Sequence, residues 1–178
     1  MAVTTQIALL RAVNVGGKKA VMSELRQFLA DLGFEAPRTL IQSGNVVFGS
    51  AVDGAELESL LEREAKARLG LETDFLVRAA DEWRAMVAAN PHADMAKTDP
   101  AHLIVMALKS PPGDAGLAAL KAWIPGREVV VAIGLQLYIT YPDGAGESKL
   151  TNAAIERRIG VRGTARNWNT VTKLAAML

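Results

Sequence analysis

Twice along the chain, a compact apolar run gives way to helical spacing, a short hairpin, a second helix and another extended piece. That recurrence restricts the fold more than any single motif. In the first pass, Gln6–Arg11 reads as a buried strand. Leu25, Phe28, Leu29 and Leu32 follow at helical spacing, with Ser23 as the expected N-cap and Gly33 just past the end. Thr39–Ile41 and Val46–Phe48 flank Gln-Ser-Gly-Asn, a hairpin signal. Asp53 and Glu56 form a capping-box-like pair ahead of an apolar stripe of Leu57, Leu60, Leu61, Ala65 and Leu69. Gly70 ends that helix, and Thr73–Val77 closes the set as a strand.

A short helix, Asp81–Ala89, is stopped by Asn90-Pro91, because the residue before proline avoids the helical region. The turn-rich stretch Asn90–Pro100 then reads as a linker. The second pass starts with strand His102–Leu108 and helix Asp114–Trp123. Strands Glu128–Ala132 and Leu135–Tyr141 follow, around Ile133-Gly134. Helix Leu150–Ile159, an extended piece at Gly163–Ala165 and helix Trp168–Met177 complete it. The order βαββαβ, repeated, predicts an α+β chain of two ferredoxin-like units in tandem with a C-terminal helix. The expected divisions are residues 1–80, a helix and linker over 81–100, and residues 101–178. One larger mixed sheet is the alternative. No residue-level repeat joins the halves, so any duplication is expected in architecture alone.

Composition limits the function classes. The 178 residues include no cysteine, which removes disulfides, thiolate nucleophiles and cysteine zinc sites, and fits a reducing cytoplasm. No apolar run approaches a membrane span, and MAVTTQIALLR lacks the marks of an export leader, so a cytoplasmic protein without membrane partners is expected. The net charge of +1 hides a gradient. Residues 1–30 carry four basic side chains against Glu24, and residues 149–178 carry six against Glu156. Such polarity favours an anionic ligand near the ends of the chain over a coat of nucleic acid across the whole surface.

Three polar motifs fall at strand–helix or hairpin junctions. In RAVNVGGKK, Arg11 stands at a strand end and Asn14 tolerates turn geometry. Gly16 and Gly17 let backbone approach a ligand, and Lys18 adds charge beside Lys19. The spacings of the two common nucleotide-binding glycine loops are absent, and composition alone favours an ordinary surface loop with two solvated lysines. In QSGN, Gln42 and Asn45 serve a tight turn, and also present amides to the first loop if their strands are neighbours. In TARNWNT, Asn167 is placed to N-cap the last helix through Thr170, with Arg166 and Asn169 beside that helix N-terminus. Lys149, next to Ser148, is a further anion contact; the Ser-Lys pair itself reads as a cap plus a solvated charge.

Catalytic signatures are sparse, and no catalytic residue or cofactor is assigned. Neither His92 nor His102 has an acidic partner at a recognised spacing, and Asp94 and Asp99 match no metal loop. The carboxylate pairs Glu62/Glu64 and Asp81/Glu82 read as solvated helix surface.

IALLRAVNVGGKKAVMSEL, LIQSGNVVF and SKLTNAAIERRIG…TARNWNTVTKL, in this order, resemble the bacterial "domain of unknown function 1697" family across nearly the whole chain. Ala12 stands where the family's opening has glycine, and Leu40 where an aromatic is common. The resemblance implies an α+β fold and a cytosolic bacterial protein, and brings no activity or catalytic set. The residues themselves point to an anionic small molecule, such as a nucleotide or phosphorylated metabolite. A single-stranded nucleic-acid module, an enzyme acting on a phosphate-containing substrate, and a purely structural fastening by the polar loops are the alternatives. Nothing in the sequence sets the oligomeric state.

Overall fold

A computed structural model describes residues 2–11, 21–41 and 44–178. The first sheet is built from β1 (Thr4–Leu10), β2 (Glu35–Leu40), β3 (Asn45–Ser50) and β4 (Phe75–Ala79). Helix α1 (Met22–Asp31) precedes β2, and α2 (Gly54–Leu69) precedes β4. The strand order is β2-β3-β1-β4, all antiparallel. After α3 (Ala80–Ala88) and a short α4 (Ala93–Thr98) the pattern recurs. It comprises β5 (Leu103–Leu108), α5 (Asp114–Trp123), β6 (Val129–Ile133), β7 (Gln136–Thr140), α6 (Asn152–Ile159) and β8 (Gly163–Asn167), followed by α7 (Trp168–Ala175). Its order is β6-β7-β5-β8, again antiparallel. The chain is therefore α+β with two four-stranded sheets, each βαββαβ-like, plus a C-terminal helix. The single mixed sheet does not form. By contacts it divides into two compact units, Met1–Ala85 with Leu174–Leu178, and Met86–Lys173.

In the first unit, Ala8, Leu10, Val46, Phe48, Phe75 and Val77 project from one face of the sheet. They pack with Leu25, Phe28 and Leu29 of α1 and Leu57, Leu61 and Ala65 of α2. The opposite face is buried too: Ile7, Leu9, Val47 and Leu76 are at most 1% exposed. That is why β1 reads as a continuous apolar run rather than an alternating one. In the second unit, Met106, Leu108, Val130, Leu137 and Ile139 pack with Leu120 of α5 and Ile155 and Ile159 of α6. Arg158 lies over the Trp123 ring at 3.3 Å, and this cation–π contact joins α6 to α5.

Several local expectations change. Helix α1 starts at Met22, so Ser23 lies inside it, and the N-cap position falls to Val21, which offers no capping side chain. Asp53 occupies the N-cap of α2 without a side-chain bond, so the capping box is not made. Thr151, rather than Ser148, caps α6 by accepting from the Ala154 N–H at 3.2 Å. The expected linker contains α4.

The duplication reaches further than architecture. Leu10 N–H donates to the Gly44 carbonyl and Leu108 N–H to that of Leu135, both at 2.8 Å. Arg11 N–H donates to Asp74 and Lys109 N–H to Arg162, both at 2.9 Å. With the sheets aligned on these bonds, Arg78, opposite Ile7, corresponds to Arg166, opposite Val105. Both guanidiniums are buried and both donate to the preceding carbonyl, Val77 at 2.7 Å and Ala165 at 2.8 Å. Glu62 of α2 accepts from Phe75 N–H, and Glu156 of α6 accepts from the corresponding Gly163 N–H, both at 2.9 Å. Glu62, expected as solvated surface, thus satisfies an amide of the edge strand β4. Glu82 does the same for Ala79 N–H at 2.8 Å, whereas Asp81 pairs with Arg84 at the surface.

Candidate functional site

The end of the first sheet brings together the described ends of two of the three motifs, Arg11 and Gly44-Asn45. Strand β1 finishes at Leu10, and β3, its neighbour, starts at Asn45 opposite Leu9. The β2–β3 hairpin therefore lies beside the exit of β1. Arg11 is fixed there by its own N–H to Asp74 and by an ion pair from Nη1 to Asp74 Oδ2 at 3.4 Å, while the Thr73 hydroxyl donates to the Arg11 carbonyl. The guanidinium side remains one-third exposed, against 11% for Asp74. Asn45 is fully buried, and its Nδ2 donates to the Leu40 carbonyl at 3.0 Å, closing the hairpin from within. Ile41 holds φ +49°, a left-handed conformation costly for a β-branched residue, with its side chain 53% exposed. Asn14, Gly16, Gly17, Lys18 and Gln42 lie outside the described residues.

The remaining candidates belong to the second unit. Arg166 is 9% exposed, and its Nη1 donates to Thr164 Oγ1 at 2.9 Å and to the Ala165 carbonyl. Burial pulls its pKa down to about 10, so the group stays charged at neutral pH. Asn167 Oδ1 accepts from Thr170 N–H at 3.0 Å, the N-cap bond of α7. The Asn169 side chain is exposed.

Lys149 lines a surface depression of about 250 Å³ with Glu128, Asp143, Glu147 and Ser148. Three carboxylates against one lysine make that depression acidic, and its volume falls below that of ordinary small-molecule sites. The Ser148 hydroxyl donates to Glu128 Oε1 and accepts from Leu150 N–H at 3.0 Å, so it ties the β7–α6 loop to the start of β6. Arg127 forks onto Asp143 at the surface. The Ser148 hydroxyl is thus engaged by Glu128 and the Leu150 amide.

Sequence reasoning missed several chemistry-bearing groups. His102 Nδ1 sits 2.7 Å from Asp99 Oδ2, an i,i+3 pair formed because the turn after α4 folds Asp99 back. Arg78 and Glu58 form a buried pair at 3.9 Å, with Glu58 also accepting from Val77 N–H at 2.8 Å. The signal for Arg78 was present in the chain: an arginine near the strand end, directly before a helix, as in TARNWNT. Among the described residues, no cluster of three or more histidine and acidic side chains could hold a metal, and no helix is long and apolar enough to cross a membrane.

The two tyrosines of the chain report on the second core. Tyr138 OH donates to the Met86 carbonyl at 2.6 Å, and Tyr141 OH to that of Leu150 at 2.8 Å. Burial pushes both phenols up, that of Tyr141 to about 12 with help from the nearby Glu128 carboxylate. Raised phenol pKa values in the folded state give stability that is complete below the unfolded value, near 10. It is lost as pH rises through the folded value. Absorbance titration at 295 nm is therefore expected to show less phenolate at pH 10 than two free tyrosines would give, with further ionisation accompanied by loss of structure. Ordinary ionisation of both tyrosines near pH 10 with the fold intact would contradict this.

Residues 3–138 match the model of a family described as "Protein of unknown function (DUF1697)". The chain belongs to the DUF1697 family. No curated protein matches it. Among solved structures it is similar to the conserved bacterial protein SP0830 from Streptococcus pneumoniae. The TM-score is 0.78 and the identity 26%, over 99% of each chain. The family match takes in all of the first sheet and its two polar segments, and stops inside β7. The solved relative continues through the terminal helix.

Proposed function

We propose that this DUF1697 protein binds an anionic small molecule, such as a nucleotide or phosphorylated metabolite, at the end of the first sheet. The observation that supports the reading is the adjacency of β1 and β3, whose ends lead into RAVNVGGKK and out of QSGN. Arg11, held at the rim by Asp74 yet one-third exposed, supplies charge with Lys18. Asn14 and Gln42 supply directional amides, and Gly16 and Gly17 supply backbone access. Asn45 ties the start of β3 to the end of β2 through the Leu40 carbonyl.

For Arg166 a second reading is favoured by its burial and its two bonds to residues of its own strand: it braces β8 locally, as Arg78 braces β4. Lys149, Asn167 and Asn169 belong to the second unit with Arg166. Titration calorimetry with inorganic pyrophosphate and a nucleoside triphosphate separates these readings. Lys18→Ala is expected to weaken binding by about tenfold, the worth of one charge-assisted contact at roughly 1.4 kcal/mol. Arg166→Lys is expected to leave affinity unchanged and to lower the melting temperature. The binding proposal fails if no anion gives heat, or if Lys18→Ala binds as well as the parent chain.

A further inference from the structure

Two residues at the end of the first sheet break local rules in the same way. Val21 occupies the N-cap position of α1, where Ser, Thr, Asp or Asn would accept a helix amide and valine has no acceptor. Ile41, directly after β2, holds φ +49°, a conformation that Gly or Asn adopts far more readily than a β-branched residue. Burial offsets neither cost, since Val21 is 47% exposed and Ile41 53%. Among the described residues of the first unit, the other exposed large apolar side chain is Val3, at the opposite end of β1. Local rules broken together, with apolar groups left in water, mark a place shaped for something other than stability.

The topology sets both residues at the rim where Arg11 stands. Leu40 pairs with Asn45 and Asn45 with Leu9, so Ile41 is level with Leu10. Strand β3 alone separates β2 from β1, which puts Ile41 roughly 10 Å from the exit to Arg11. Helix α1 passes into the far end of β2, at Glu35, so its N-terminus lies at the same rim as Ile41. Arg26 of α1 confirms the placement, its Nη1 donating to Thr39 Oγ1 at 2.9 Å. The rim therefore has a charged side on β1 and β4, with the Arg11 guanidinium one-third exposed, and an apolar side on β2 and α1.

Resting on the anion site proposed above, we infer that its ligand is a nucleotide, with phosphate on the Arg11 side and the base against Ile41 and Val21. A nucleotide carries an anionic group and a planar ring at opposite ends of a ribose, and so matches a rim whose charged and apolar sides lie two strand spacings apart. Stiff β-branched side chains give a flat apolar surface for one face of such a ring. A bare oxyanion or a sugar phosphate would leave Ile41 and Val21 in water and account for neither departure. Two side chains are also far too small a patch for a protein partner.

Titration calorimetry of the full chain with ribose 5-phosphate and the four nucleoside 5′-monophosphates isolates the base, because phosphate and ribose are common to all. At least one nucleotide is expected to bind about tenfold tighter than ribose 5-phosphate. Ile41→Asn and Val21→Ser are each expected to raise the melting temperature, since Asn accepts the left-handed backbone and Ser caps the helix. Each is also expected to bring the nucleotide's affinity close to that of ribose 5-phosphate, which itself binds as before. A purely structural role would not join a gain in stability to a loss of base recognition. Nucleotides that bind no tighter than ribose 5-phosphate overturn the inference and leave the anion site standing. Variants that keep the parent's preference, or that lose ribose 5-phosphate equally, overturn it too. No heat with any phosphate, pyrophosphate included, removes the anion site itself and this inference with it.

Discussion

Glu58→Ala is expected to cost about 4 kcal/mol, in the range seen when one partner of a buried ion pair is removed. Glu58 is 6% exposed and serves two groups at once, the Val77 N–H at 2.8 Å and the Arg78 guanidinium at 3.9 Å. Alanine strands a buried amide and withdraws a carboxylate that helps keep Arg78 charged against its desolvation. At this chain length the loss corresponds to a fall in melting temperature of roughly 8–16 °C. Glu58→Gln keeps an acceptor for Val77 and removes only the charge, so about half the loss is expected. Adding Arg78→Met to Glu58→Gln is expected to recover most of the remainder, because the desolvated cation is gone. Thermal denaturation of the three variants checks the series. Equal losses in Glu58→Ala and Glu58→Gln would show that the amide bond contributes nothing.

Gly163→Ala is expected to cost about 3 kcal/mol, the upper range for overpacking. A Cβ at Gly163 would lie 2.5 Å from the Ala107 carbonyl oxygen, 2.9 Å from Leu108 Cδ2 and 3.0 Å from Met106 Cε. The methionine tip can turn aside, but the carbonyl belongs to β5, the strand to which β8 is bonded. Relief therefore means opening the β5–β8 ladder and loosening the bond from Gly163 N–H to Glu156. Gly113→Ala, where a Cβ meets nothing within 4 Å, is the matched control and is expected to change stability by less than about 1 kcal/mol. Similar melting curves for the two variants would contradict the close approach.

The elements legible in the sequence were those whose pattern is set by local chemistry. The stripe Leu57, Leu60, Leu61, Ala65 and Leu69 gave α2, because helix periodicity and core burial coincide there. The continuous runs in β1 and β5 marked strands buried on both faces. Asn167 was readable as a cap because its partner lies three residues on. What stayed hidden depended on distant segments. Glu58 and Glu62 look solvated on a helical wheel, and only the docking of α2 on the edge of β4 gives them amides to hold. Asp74 is an ordinary loop acid until β4 pairs with β1 and sets it against Arg11. Ser148 resembled a cap by spacing, but Glu128, twenty residues earlier, takes its hydroxyl. Arg78 and Arg166 correspond only once the two ladders are superimposed, because few other side chains are kept between the units.

The proposed anion site at the end of the first sheet is tested most directly by amide chemical-shift mapping of the full chain during titration with inorganic pyrophosphate. Saturable shifts concentrated in residues 11–19 and 41–45 are expected, with the amides around Arg166 left in place. Shifts that are absent, or that fall instead on residues 164–170, would contradict it.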